Sequence, residues 1–276
     1  MLFPMILRTI FNVTVFAGNL RQSILFVTFF LLLSSVALAV DTPAPAQVQV
    51  APAVCSSCLR FNDFNTLVRD GKIVKGPARS ELKRLLAELR DDYYKNGGAD
   101  FPRESWVFPL AGYDFRAITG GRSKGFYASG YDYFSGNRHG GHPAFDIFIR
   151  DRNQDSRDDK SGAPVKVLSL TGGIVVALER EWQPGSRLRG GKYLWIYDPA
   201  NDLLVYYAHN AQLFVGLGDR VKPGDLLAIV GRSGYNAFKH RSPTHLHLSV
   251  LQVKDDRPLP LNVYRDLTRA RTLPGQ

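Results

Sequence analysis

Five short segments rich in β-branched and aromatic residues, at 164–170, 173–179, 192–197, 203–209 and 226–230, follow one another with no helix between them. Asp198-Pro199-Ala200-Asn201-Asp202, Val221-Lys222-Pro223-Gly224-Asp225 and Gly231-Arg232-Ser233-Gly234 punctuate the run. Gly, Pro, Asn and Asp favour the backbone angles that reverse a chain, so these read as turns. Short strands joined by close turns predict a mostly β fold on an antiparallel sheet. One helix precedes it. In 80–94, Leu82, Leu85, Leu86 and Leu89 repeat at i, i+3, i+4 and i+7, with Ser80 as the expected N-cap and Asn96-Gly97-Gly98 as the stop. Its apolar stripe is expected to pack on the β domain rather than do chemistry.

Chemistry enters with Thr244-His245-Leu246-His247-Leu248-Ser249-Val250. Strict alternation predicts a strand with His245, His247 and Ser249 on one face and Leu246, Leu248 and Val250 in the core. Two histidines on one strand face lie about 6.6 Å apart. One can then bind a metal while the other acts on a water or substrate beside it; the bland reading is a half-buried strand with imidazoles facing solvent. A second cluster, His139-Gly140-Gly141-His142-Pro143-Ala144-Phe145-Asp146, sets His142 four residues from Asp146. A straight strand would separate them by about 13 Å, and Gly140, Gly141 and Pro143 oppose a helix. A bend around Pro143-Ala144, feeding a strand that begins near Asp146, brings imidazole and carboxylate to a common point. His139 is the internal rival of His142. A third histidine, His209, ends the apolar strand Val205-Tyr206-Tyr207-Ala208, while His240 lies between Lys239 and Arg241 in a solvent-facing or substrate-side loop.

Compartment is read from the amino terminus. Arg21 precedes an apolar run at 24–39 that closes on Ala37-Leu38-Ala39, the layout of a secretory signal cleaved after Ala39. The 16-residue run is shorter than the roughly 20 residues of a membrane span, yet an uncleaved anchor is the alternative. The net charge of +10 becomes +8 without residues 1–39, which hold Arg8 and Arg21 and no acid. A basic surface favours polyanions, and in an exported chain the partner is expected to be an acidic wall polymer, not nucleic acid. Cys55 and Cys58 are the only cysteines; a local disulfide, free thiols in a mobile linker, a redox pair and half a zinc site are the options, with the first two preferred. Walker-type, dinucleotide and His-Glu-x-x-His motifs are absent.

In order, His142 with Asp146, Tyr207-Ala208-His209, Gly218-Asp-Arg-Val-Lys-Pro-Gly224-Asp, Gly231-Arg-Ser-Gly234 and His245-Leu-His247 resemble the lysostaphin/LytM-type zinc metallopeptidases, as does the earlier Phe108-Pro-Leu-Ala-Gly112. The resemblance covers residues 106–252. It implies a small, open, barrel-like antiparallel sheet of the duplicated hybrid motif type, with a groove. It also implies that His142, Asp146 and His247 hold one zinc ion per chain, and that His209 and His245 form the catalytic pair. Two imidazoles and a carboxylate leave a fourth tetrahedral position for water, as catalytic zinc sites do. Without the glutamate of other zinc peptidases, a histidine must carry the proton. The implied organisation is a signal peptide or anchor at 1–39, a Pro/Ala-rich linker at 40–60, a helical extension at 61–100, the peptidase domain at 101–262 and a tail at 263–276.

Three departures from the family stand out: Ala144 in place of a usual glycine, a charged insert at 150–160, and a long basic loop at 181–191. The insert spaces Asp151, Asn153 and Asp155 alternately, followed by Asp158 and Asp159, which suggests a calcium loop; Ser156 and Gly162 depart from the EF-hand pattern. The alternative is a solvated loop balanced by its own Arg and Lys. The expected function is an exported zinc metalloendopeptidase, periplasmic or secreted, that cuts peptide cross-links of bacterial peptidoglycan. A carboxypeptidase on wall stem peptides, and a non-catalytic envelope scaffold or amidase activator, are the alternatives. A membrane is a partner only if the leader stays uncleaved.

Overall fold

Alternation along one strand, β8 (His245–Lys254), sorts the molecule into two layers. Leu246, Leu248 and Val250 enter one core, while His245, His247 and Ser249 face the opposite side of the sheet. The computed structural model describes residues 55–275, and the leader expected at 1–39 lies outside them. Among the described residues no helix is long and apolar enough to cross a membrane.

The other strands are β1 (Ala144–Phe148), β2 (Lys166–Leu168), β3 (Gly173–Glu179), β4 (Lys192–Asp198), β5 (Leu203–Leu213), β6 (Arg220–Val221), β7 (Leu226–Val230) and β9 (Arg257–Pro260). They pair antiparallel in the order β1-β8-β5-β4-β3-β6, with β7 bridging β2 and β5 and β9 on β8. The sheet is open, and the predicted strands at 173–179 and 226–230 match β3 and β7 end to end. Beneath one face, Leu203, Val205 and Tyr207 of β5 join Trp106, Phe108, Phe145, Ile147 and Leu194. That layer is finished by Leu267 of a short helix, α3 (Tyr264–Arg269).

The opposite face carries two helices, α1 (Ser56–Arg69) and α2 (Lys75–Lys95). Leu82, Leu85, Leu86 and Leu89 are buried there beside Phe61, Phe64, Val176, Trp195 and Tyr197. Each such leucine contributes about 1.5–3 kcal/mol by leaving water. Ser80 is not the N-cap: α2 begins one and a half turns earlier, with Lys75, Gly76 and Pro77 in its first turn. A proline is tolerated there because its missing N–H would have had no intrahelical partner. α1 starts inside the stretch expected to be linker. Cys55 is its N-cap, its Sγ accepting from Cys58 N at 3.2 Å, and the two cysteines are joined as a disulfide.

α1 is anchored to the sheet by polar contacts as well. Leu178 N donates to Asn62 Oδ1 at 3.1 Å, and Arg69 Nη1 donates to Glu179 Oε2 at 2.9 Å. The helices therefore share their sheet face with the histidines of β8.

Candidate metal centre and catalytic groove

Three backbone devices place the histidines: the β1–β8 register, a bend before β1 and a bulge in β5. Asp146 sits in the middle of β1, directly opposite His247 on β8, with Phe148 opposite His245. Facing residues of an antiparallel pair point to the same side, so this register alone puts Asp146, His245 and His247 together. His142 arrives by the expected bend. It exchanges two backbone hydrogen bonds with Tyr127 (2.6 and 2.7 Å) just before Pro143. Gly141 turns the chain at φ +70°, where a Cβ would lie 2.7 Å from Ser129 O, a spot only glycine fits.

His209 depends on an irregularity that alternation does not show. In register with Leu203, Val205 and Tyr207 it would point into the core. Instead Ala208 and His209 together face the single Tyr193 of β4, a β-bulge, and His209 adopts φ +67°. The bulge swings the imidazole to the helix side. There its ring lies 4.9 Å from that of His245 and 5.5 Å from that of His247, centroid to centroid.

The resulting geometry is tight. His142 Nε2 is 3.3 Å from Asp146 Oδ2, and His247 Nδ1 is 3.0 Å from Asp146 Oδ1. One donor atom from each of the three lies within 4.8 Å of the others, the sole such His/Cys/Asp/Glu group among the described residues. Tetrahedral bonds of about 2.0–2.1 Å set ligand atoms about 3.3 Å apart, and an N, N, O donor set suits zinc. The residues fit the ion.

Carbonyl oxygens fix the imidazole tautomers. Nδ1 of His142, His209 and His245 lies 2.8, 2.8 and 2.7 Å from the carbonyl oxygens of Gly125, Ser233 and Pro243. A carbonyl only accepts, so Nδ1 carries the proton and each neutral ring keeps its Nε2 lone pair. His245 Nε2 is 3.7 Å from Asp146 Oδ1. Burial opposes ionisation of Asp146, but hydrogen bonds from His142, when its Nε2 is protonated, and from His247 outweigh it and hold the carboxyl well below the usual range. Burial, reinforced by the neighbouring His245 and His247, pushes His209 well below an ordinary histidine; burial also lowers His247. His142 is raised, because Asp146 overcomes the effect of burial.

These side chains open into a groove of about 300 Å³. Its far wall, which sequence reasoning missed, is aromatic: Tyr193 and Trp195 of β4, Tyr206 of β5, and Tyr131 and Tyr133 of the turn before β1. Asn65 and Arg69 of α1 close one end. The alternation of Tyr193, Trp195 and Tyr197 was the available signal. His139, the rival ligand, lines the groove against the Tyr131 ring but stays outside the metal cluster. His240 is exposed, and its carbonyl accepts from Gln154 Nε2.

The calcium reading of the insert is corrected. Asp151, Asn153, Asp155 and Asp159 do not converge on a point. Asp151 accepts from Asp155 N, Ser156 N and Thr244 Oγ1. Asn153 and Asp155 bond each other, and Asp159 accepts from Arg152 N. The acidic oxygens are consumed in folding the loop, as Asx turns do.

Residues 158–259 match the model of peptidase family M23. That stretch is similar to an M23 peptidase domain. The match holds His209, His245 and His247 but begins after His142 and Asp146; β1 brings in Asp146, and the bend before it brings in His142. No curated protein matches the chain. Solved structures similar to it include a Ruminococcus gnavus protein that carries the name glycyl-glycine endopeptidase lytM, at 27% identity over 62% of this chain and 64% of that one, TM-score 0.39. A zinc containing peptidase from Vibrio cholerae is similar at 21% identity over 56% and 38%, TM-score 0.36. The catalytic domain of the antimicrobial peptidase lysostaphin from Staphylococcus simulans is similar at 20% over 51% and 87%, TM-score 0.34. The chain thus spans less than two thirds of the first two.

Proposed function

We propose that the chain is an exported zinc metalloendopeptidase that hydrolyses peptide cross-links of bacterial peptidoglycan. The observation that carries this reading is the meeting of His142, Asp146 and His247 in one groove with two further histidines, His209 and His245. His142, Asp146 and His247 would hold the ion. Zinc, when bound, supplies a Lewis acid and water that ionises near neutral pH.

The remaining work falls to side chains of the chain itself. His245, its Nδ1 fixed on Pro243 O, offers Nε2 beside Asp146 as acceptor for a proton from water. His209 is uncharged at rest because it is buried. It therefore stabilises a developing oxyanion or protonates a leaving amine only after receiving a proton at Nε2. The family match supports peptide-bond hydrolysis, and the basic charge, +8 without residues 1–39, suits an acidic wall polymer. The leader at 1–39 supports export.

The test is release of soluble fragments and new amino termini from purified peptidoglycan. Wild-type protein is expected to release both. His245→Ala is expected to keep its zinc and lose roughly 10²–10⁴-fold in rate. A wild-type protein that binds wall and zinc but cuts nothing would instead be a scaffold.

A further inference from the structure

The groove holds few fixed charges, and they are unequal in their company. Among the described residues its only acid is Asp146, engaged by histidines, and its only arginines are Arg69 and Arg189. Arg69 is already neutralised, with Asp70 at 2.7 Å and Glu179 at 2.9 Å. Arg189 makes no ion pair among the described residues; of its guanidinium nitrogens, Nη1 donates to His139 O at 3.0 Å, while Nε and Nη2 have no protein partner there.

Arg189 is nonetheless held in place. Asn137 clasps the loop on both sides of Leu188: its Nδ2 donates to Arg187 O and its Oδ1 accepts from Arg189 N, both at 3.1 Å. The next residue, Gly190, accepts from His209 N at 2.9 Å. The guanidinium is thus registered to the bulge that aims His209 and tied to His139, three residues before His142. A planar guanidinium with two adjacent free nitrogens is shaped for a carboxylate. With a divalent ion beside Asp146, the groove carries net positive charge.

We propose that Arg189 is a specificity-determining residue that selects peptides bearing a free carboxylate where they lie in the groove. The assignment rests on the peptidase reading above and names its substrate class: acidic peptides rather than uncharged ones. Phosphate-bearing polymers could meet the same charge, but the groove that Arg189 lines also holds the peptidase histidines, which favours the carboxylate.

The test compares two probes: cross-linked muropeptide dimers with carboxylates intact, and the same dimers amidated with ammonia and carbodiimide. Binding to the metal-free protein is read by calorimetry at low and high salt, and KM by hydrolysis with the zinc-loaded enzyme. In wild type the intact dimers should bind roughly tenfold tighter than the amidated ones, the scale of a charge-assisted pair. This preference should shrink at high salt. Arg189→Ala should bring the ratio close to one, and Arg189→Lys should restore part of it. A purely structural role would weaken both probes together and leave their ratio intact, which overturns the assignment, as does wild-type protein that binds neither probe or both equally. Preferential binding without hydrolysis would leave Arg189 standing and sink the peptidase reading instead.

Discussion

Asp146 and His247 stand directly opposite each other on adjacent antiparallel strands, their side chains 3.0 Å apart although 101 residues separate them in sequence. A strand pair is a stiff way to hold two ligands, because a slip of one residue would turn every side chain on β8 to the wrong face. The same register that buries Leu246 and Leu248 therefore guarantees the site, and stability and chemistry are enforced by one pairing.

Gly234 controls the aim of His209. At φ +115°, a Cβ there would lie 2.4 Å from Arg189 O and 2.8 Å from His209 Nδ1. Gly234→Ala is expected to displace the imidazole and cost on the order of 10²-fold in peptidoglycan hydrolysis, the effect of misplacing a reacting group by about 1 Å. Zinc content, read by elemental analysis, should be unchanged. Full activity in the variant would show that His209 needs no such positioning.

Asp151 ties the insert to the start of β8, Thr244 Oγ1 donating to it at 2.6 Å just before His245. Asp151→Ala strands the buried Thr244 hydroxyl and is expected to lower unfolding free energy by about 1–3 kcal/mol, measured by denaturant titration. Added calcium should leave the wild-type Tm unchanged. A calcium-dependent rise in Tm would restore the ion-binding reading.

β8 was legible from its alternation, and β3 and β7 from β-branched residues between turn sequences, signals that need no knowledge of neighbours. The α2 leucine stripe was legible for the same reason at helical period. What depends on pairing was not: the bulge at His209 exists only against Tyr193, and the aromatic wall only when β4 and β5 lie side by side. α1 had a signal in Cys58, Phe61, Asn65 and Val68, all buried at spacings of three and four. Proximity to the Pro/Ala-rich stretch hid it. The Asp151 insert failed differently. Alternating acids state how many oxygens are available, and only the folded loop decides whether they meet an ion or the backbone.

Asp198 gives the stability a pH dependence. Burial raises its carboxyl to about 6 despite hydrogen bonds from Asn201. A folded-state pKa above the unfolded value of 3.8 favours the folded chain fully below pH ~4, and this contribution is lost as pH rises through about 6. The shift of about two units corresponds to about 3 kcal/mol. Unfolding free energy of wild type minus that of Asp198→Asn, followed by denaturant melts, should fall by about that amount from pH 4 to pH 7.5. A flat difference would contradict the burial argument.

The most direct measurement is zinc stoichiometry in the purified protein and in His142→Ala, Asp146→Ala and His247→Ala, each checked for folding by circular dichroism. Three ligands around one ion predict one zinc per folded wild-type chain and a large loss in every variant. Undiminished zinc in folded His247→Ala, or none in the wild type after loading, would contradict the metal centre and the hydrolase built on it.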